Sequence, residues 1–265
     1  SDAHWSHEQG SEMMLDKMID DNGLDFEKEE VTFVKNLISG HIPPHTEERY
    51  LYQIVSNSCF SVDVDKFDYL ARDCFYLGVK NSYDSSRLLN FSKVIDGNIC
   101  FHSKEAYNLY ELFHTRYTLH KQIYSHRVGQ SVEFMIADAL IAANEELGIA
   151  DSIHDPDAYL HLNDCVLNTI ETSKAPGLQK SRDIVKRLRK RDLYKFVEEM
   201  LLDQSTSLRI KYKSITPEDV LASYTPSSQQ DALQPDDLII QDLKINYAMK
   251  AENPVDHIGF FRNWN

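Results

Sequence analysis

Asp65, Tyr69 and Asp73 stand four residues apart in the stretch Asp63-Val64-Asp65-Lys66-Phe67-Asp68-Tyr69-Leu70-Ala71-Arg72-Asp73-Cys74. The stretch has no Gly or Pro, and its apolar residues recur at helical spacing, which predicts a helix with those three on one face. Lys66 flanks the face. Two carboxylates, an ammonium and a phenol on one rigid helix suit a metal, a phosphate and a sugar hydroxyl. The same spacing also suits a solvated face whose charges only support the helix.

A second polar stripe, Arg116, His120 and Tyr124, repeats the interval. It lies in a predicted long helix from about Lys104 to Leu147, with Leu109, Leu112, Phe113, Leu119, Ile123, Met135, Ile136, Ala139 and Leu140 as its core side. A lone His120 reads as a core histidine satisfied by a neighbour; three aligned polar residues favour a pocket wall. His126 and Arg127 point away from the stripe, so this helix is expected to serve two pockets. Lys180–Lys195 carries eight Lys or Arg against two Asp in an otherwise acidic chain. That reads either as a solvated face or as a polyphosphate or single-stranded nucleic-acid contact.

The elements that must position these residues are mostly helical. Ser6 caps a first helix that stops at Asp21-Asn22-Gly23; Glu29 to Ile38 and Tyr50 to Asn57 read as two more. His41-Ile42-Pro43-Pro44-His45 is a loop. Ser85 to Phe91 is a short helix, and Asp96-Gly97 turns a hairpin between Val94 and Phe101. Asp151 to Asp157 is a polar linker, followed by an amphipathic helix from Ala158 to Ser173. Strands are expected at Arg209–Lys213, Leu238–Tyr247 and His257–Arg262, with a loop over Ala222–Asp237. The fold class is mainly α, with a helical lobe followed by a small α+β C-terminal lobe. Boundaries fall at 1–150, 151–207 and 208–265.

The 265 residues carry a net charge of −14, which repels polyanions except at local basic pockets. No apolar run reaches the roughly 20 residues of a membrane span. Cys59, Cys74, Cys100 and Cys165 form no CxxC pair and read as free thiols of a nuclear or cytosolic protein. The Walker loop, GxGxxG fingerprint, nucleophile elbow and HExxH are missing from the sequence. The chain opens Ser-Asp-Ala-His, and the last predicted strand stops short of a partner. Both features suggest a piece of a longer protein.

Trp5-Ser-His7-Glu-Gln-Gly-Ser11, the Asp63–Asp73 segment, Phe113-His-Thr-Arg116, His120, Tyr124-Ser-His126, Arg191-Asp-Leu-Tyr-Lys195 and Asn253-Pro-Val-Asp-His257 occur in that order. Together they resemble the animal SAM- and HD-domain-containing deoxynucleoside triphosphate triphosphohydrolases, a branch of the HD-domain metal phosphohydrolases. The resemblance runs from about Trp5 to Arg262. It implies cleavage of a dNTP to deoxynucleoside and inorganic triphosphate by a nucleotide-assembled homotetramer, with GTP or dGTP and a dNTP as regulators. It makes Asp65 one ligand of a divalent metal (Mg, Mn, Fe or Zn) and His7 a catalytic histidine. Lys66 and Arg116 would grip phosphate, Tyr69 and Asp73 would face the deoxyribose, and His120 and Tyr124 would complete the pocket.

The regulatory nucleotides would meet Val79, Asp84, Arg87, Phe91, Lys104, Asn108, His126 and Arg127, with Arg191, Leu193, Lys195 and Arg262 reaching from neighbouring subunits. Three metal ligands that the resemblance implies, a His and a His-Asp pair, precede the matched segment. The chain alone is therefore expected neither to hold the metal nor to hydrolyse dNTP. Ser125 stands where the family has a longer amide, and Lys121-Gln122 where it has two arginines, which bears on base preference and activator response.

Overall fold

The computed structural model describes residues 5–200, 215–225, 232–243, 245 and 252–264. The chain forms two compact units, Ser1–Tyr194 with Asn246–Asn265, and Lys195–Ile245. The fold is mainly helical, with one three-stranded sheet.

In the first unit, α1 (His7–Asn22) begins at a Ser6–Gln9 capping box and ends at Gly23 in the left-handed region. α2 (Lys28–Ser39) follows. α3 (Val64–Leu77) starts where the Asp63 carboxylate accepts the Lys66 backbone N–H, and stops at left-handed Gly78. α4 is Ser85–Asn90 and α5 is Ala106–Leu119. α6 (Arg127–Leu147) is the longest helix among the described residues.

Strands β1 (Ser92–Ile95) and β2 (Asn98–His102) pair antiparallel as the Asp96-Gly97 signal predicts. Both turn residues have positive φ, 47° and 71°, the signature of a two-residue hairpin turn matched to strand twist. A side chain at Gly97 would run into the Glu47 carbonyl. β3 (Gly259–Phe261) adds in parallel to β2. The C-terminal strand therefore has a partner within its own unit, where the sequence suggested none.

Two hydrophobic clusters organise the unit. One gathers Leu70 and Cys74 of α3, Leu88, Phe101, and Leu109, Leu112, Phe113 and Leu119 of α5. The other packs Met135, Ala139 and Ala143 of α6 against Ile170, Leu178, Ile184 and Val185. Full burial of a side chain such as Leu70 or Leu109 contributes about 1.5–3 kcal/mol each.

Several expected elements are corrected. Tyr50–Asn57 is a 3₁₀ turn over Arg49–Gln53 followed by loop. There the Asn57 carboxamide oxygen takes the N–H groups of Cys59 and Phe60, an alternative to helix that short polar side chains offer. The long helix breaks: α5 gives way to a five-residue π turn, His120–Tyr124, and α6 restarts after His126 caps it. The expected linker holds α7 (Ile149–Ser152) and the Asp155 cap of α8 (Pro156–Leu160), and the expected Ala158–Ser173 helix divides into α8 and α9 (Val166–Thr172). α10 (Gln179–Arg189) follows.

In the second unit, α11 (Pro217–Ala222) begins at a Thr216–Asp219 capping box, and a 3₁₀ turn covers Pro235–Asp237. Residues 238–243 and 245 are not strand, which corrects the described part of the Leu238–Tyr247 expectation. The strand expected at Arg209–Lys213 lies outside the described residues.

Candidate functional site

The two polar stripes meet. Asp65, Tyr69 and Asp73 project from successive turns of α3, held in place because Leu70 and Cys74 of the same helix sit in the first cluster. Tyr69 also packs at the edge of that cluster, with the Arg116 guanidinium of α5 beside its phenol. One turn on, the Tyr124 phenol donates to Asp73 at 2.5 Å. A phenol–guanidinium contact and a phenol–carboxylate bond thus join α3 to α5 and the π turn.

Tyr124 ends the π turn, which carries this bond. The Ser125 N–H reaches back five residues to the His120 carbonyl at 2.9 Å, in place of the four-residue reach of α-helix. The His120 ring stands edge-on to Tyr124, centroids 4.9 Å apart. π turns inside helices are frequent at functional sites.

The electrostatics follow from burial and neighbours. Burial raises the Tyr69 phenol, with Asp65 and Asp63 adding to the rise and Arg116 opposing it. Burial and then the bond to Asp73 raise Tyr124 further, so both phenols are neutral donors at physiological pH. Burial, with Arg116 nearby, lowers His120 and keeps its imidazole neutral. The two stripes with Lys66 therefore offer two cations, two carboxylates, two neutral phenols and a neutral imidazole. Such a set recognises a ligand that is anionic at one end and hydroxylated at the other.

Lys66 is not a loose lysine. Its ammonium bonds both oxygens of Asp63, at 3.2 and 3.0 Å. Asp65 is exposed on the first turn of α3. His7 sits exposed on the first turn of α1, and its polar partner among the described residues is Glu8 at 3.2 Å.

The residues assigned to regulation separate into groups. Asp84, Arg87 and Asn108 form one network around Glu105, a fully buried carboxylate. Asp84 and Asn108 exchange two hydrogen bonds, at 2.8 and 2.9 Å. Arg87 binds Glu105 through two guanidinium nitrogens, and Asn108 donates to the same carboxylate. Burial alone would raise Glu105; the bonds from Arg87 and Asn108 outweigh it and hold the carboxyl below the usual range. Arg87 also lies over the Phe91 ring, 5.2 Å from its centroid. Val79 packs at the edge of the first cluster, and Lys104 is exposed beside this network. His126 spends a ring nitrogen on the Val128 N–H as the cap of α6, and Arg127 follows it, exposed. Arg262 is exposed just past β3.

Arg191 and Leu193 lie in the segment after α10, Arg191 at a positive φ of 59°. That segment is pinned to α6: Ser131 donates to the Tyr194 carbonyl and the Tyr194 phenol donates to Asp138, both at 2.7 Å. Lys195 begins the second unit and is exposed. Within the basic run, Arg182 binds the Ser173 and Ala175 carbonyls, Arg187 binds Asp192 and Arg189 binds Glu171. Part of its charge is therefore spent inside the fold, which weighs against the nucleic-acid alternative.

Two residues that carry this geometry drew no role from the sequence. Asp63 had a signal, as an Asp three residues before Lys66 at a helix start. Glu105 had none; nothing in its surroundings marks a fully buried carboxylate.

The divalent metal implied by the resemblance fails a test of fit on these residues alone. Among the described residues, no three His, Cys, Asp or Glu side chains come together as a metal centre. Asp65 by itself falls short of the donor set that such an ion takes. The one His-Asp dipeptide, His154-Asp155, has its carboxylate committed to the N–H groups of Asp157 and Ala158. Among the described residues no helix is long and apolar enough to cross a membrane.

Known proteins are similar to this sequence. The deoxynucleoside triphosphate triphosphohydrolase SAMHD1 homolog of Dictyostelium discoideum is 47% identical over 260 residues, covering 98% of this chain and 49% of its own. The Bos taurus deoxynucleoside triphosphate triphosphohydrolase SAMHD1 is 35% identical, covering 97% and 50%. The Homo sapiens protein of that name is 34% identical, covering 98% and 47%. The chain spans about half the length of the curated relatives it matches. Residues 83–230, from the start of the α4 network through the basic run, match the family described as the HD associated region, and the chain belongs to that family.

Proposed function

We propose that this chain carries the substrate pocket of a deoxynucleoside triphosphate triphosphohydrolase. The observation that supports the reading most is the Tyr124–Asp73 bond which, with Arg116 beside Tyr69, brings the two polar stripes to one place. Relatives bearing that activity in their names match nearly the whole chain.

Arg116 and Lys66 take triphosphate oxygens. Tyr69 lies under the deoxyribose, where its ring leaves no room for a 2′-hydroxyl, and Asp73 accepts from the 3′-hydroxyl. Asp73 already accepts from Tyr124, so the sugar hydroxyl enters an existing hydrogen-bonding position rather than a bare carboxylate. His120 closes the pocket as a neutral imidazole. In the reaction water adds at the α-phosphorus, the bond to O5′ breaks, and the deoxynucleoside and triphosphate separate. Asp65 would be one ligand of the divalent metal that the resemblance implies, whose donor set the described residues do not complete. The catalytic role of His7 draws no support from its position, exposed and paired to Glu8.

The Asp84–Arg87–Glu105–Asn108 network is proposed as one wall of a regulatory nucleotide site, and the segment after α10 as a part that a neighbouring subunit uses in a homotetramer. GTP or dGTP and a dNTP are the proposed regulators. The four free cysteines suit the nucleus or cytosol.

The test is product analysis on the native protein with each dNTP and a divalent metal. Deoxynucleoside and inorganic triphosphate in equal amounts are expected. Deoxynucleoside diphosphate with orthophosphate would contradict the reading.

A further inference from the structure

Asp63 is a buried carboxylate to which the mechanism above gives no part. It is 5% exposed and accepts four hydrogen bonds. The Asn57 N–H reaches Oδ2 at 3.0 Å and the Lys66 N–H reaches Oδ1 at 3.1 Å. The Lys66 ammonium bonds both oxygens.

The carboxylate is held from behind. The Asn57 carboxamide accepts from Cys59 and Phe60 and donates to the Val62 carbonyl at 3.0 Å. Ser61, with a positive φ of 56°, completes the tight loop that delivers Asp63 to the start of α3. A helix cap alone does not need this charge. Ser or Asn caps as well as Asp, and a buried carboxylate carries a desolvation cost that a neutral cap avoids. The charge has a second use on the page, the side chain of Lys66, which it holds only 15% exposed.

We infer that Asp63 is a positioning residue that fixes the Lys66 ammonium at the pocket edge, one turn before Tyr69, for a triphosphate oxygen. This rests on the dNTP reading above. A lysine side chain is ordinarily a flexible stem with much rotamer freedom to lose on binding an anion. Here that loss is incurred on folding. The ammonium has three donors, and the two spent on Asp63 leave the third for the ligand. Most of the negative charge of Asp63 is absorbed by two backbone N–H groups and the positive end of α3, so it repels an incoming phosphate little.

The experiment compares affinities for α,β-imido-dATP and for 2′-deoxyadenosine by calorimetry; their ratio reports the share of the triphosphate. Asp63→Asn, which keeps the cap, is expected to lower that ratio about tenfold while deoxyadenosine affinity stays within about twofold. Lys66→Met should lower the ratio at least as far, and the double variant no further than Lys66→Met alone. A purely structural role would weaken both ligands together and add to the lysine change. An unchanged or raised ratio in Asp63→Asn, with the ratio lowered in Lys66→Met, would overturn the inference and leave the dNTP reading standing. A wild-type ratio near one would overturn both. If Asp63→Asn does not fold, Asp63→Ser, another cap unable to hold the ammonium, carries the same expectation.

Discussion

The two hydrophobic clusters of the first unit handle polar groups in opposite ways. Around the cluster of α3 and α5, ionisable and amide side chains are buried: Asp63, Glu105, His102, Gln53 and Asn57. Around the cluster of α6 and α10, the buried polar side chains among the described residues are serines bonded to backbone carbonyls, as Ser181 is to Ala139 at 2.6 Å. The arginines of α10 stay outside, on local carbonyls and carboxylates. The second cluster is a scaffold, whereas the first bears desolvation costs that only directed charges repay. The substrate stripes and the Glu105 network lie on the first.

Five substitutions break or sharpen this contrast. The largest effect is expected at Leu70, fully buried beside Tyr69. Leu70→Ala should cost about 3 kcal/mol in urea denaturation and weaken nucleotide binding as well. A loss of equal size at Leu178 of the other cluster should leave the affinity unchanged. If both variants weaken binding equally, the division of labour is wrong.

Glu105→Gln comes next, at about 2 kcal/mol near neutral pH. The carboxyl of Glu105 is held below its ordinary value of 4.5, so its contribution is complete above that value. It is lost as the pH falls through the lower folded value. The stability gap between wild type and variant should therefore narrow on acidification, and a constant gap would show that packing rather than charge is at work. Tyr124→Phe removes the donor to Asp73 and should cost about 1 kcal/mol of stability. The smallest effect belongs to the scaffold's outer charges: Arg189→Ala, which frees Glu171, should cost under about 0.5 kcal/mol and fade with salt.

Much of this was legible in the residues. α3 could be read from its period, its Asp cap and its Gly stop, and the hairpin from Asp96-Gly97. The two stripes were visible as intervals of four. Their meeting was not, because it depends on the π turn. Arg116, His120 and Tyr124 keep helical spacing in the sequence, and nothing there distinguishes a continuous helix from one with a five-residue turn. The 3₁₀ turn at Arg49–Gln53 was hidden for a similar reason. Gln53 bonds Asn98 and Ile99 of the distant hairpin, a tertiary demand that overrides local propensity. The parallel partner of β3 was equally nonlocal. Glu105 shows the limit most plainly, since its burial and its three bonds from Arg87 and Asn108 arise only when α4 and α5 pack together.

The central claim is that α3 and the α5–π junction jointly recognise a deoxynucleoside triphosphate. The most direct test is a crystal structure of this chain with α,β-imido-dATP. The account predicts the triphosphate on Arg116 and Lys66, the sugar against Tyr69, and its 3′-hydroxyl on Asp73. Nucleotide bound elsewhere, with the Tyr124–Asp73 bond and the Tyr69–Arg116 contact intact, would contradict it.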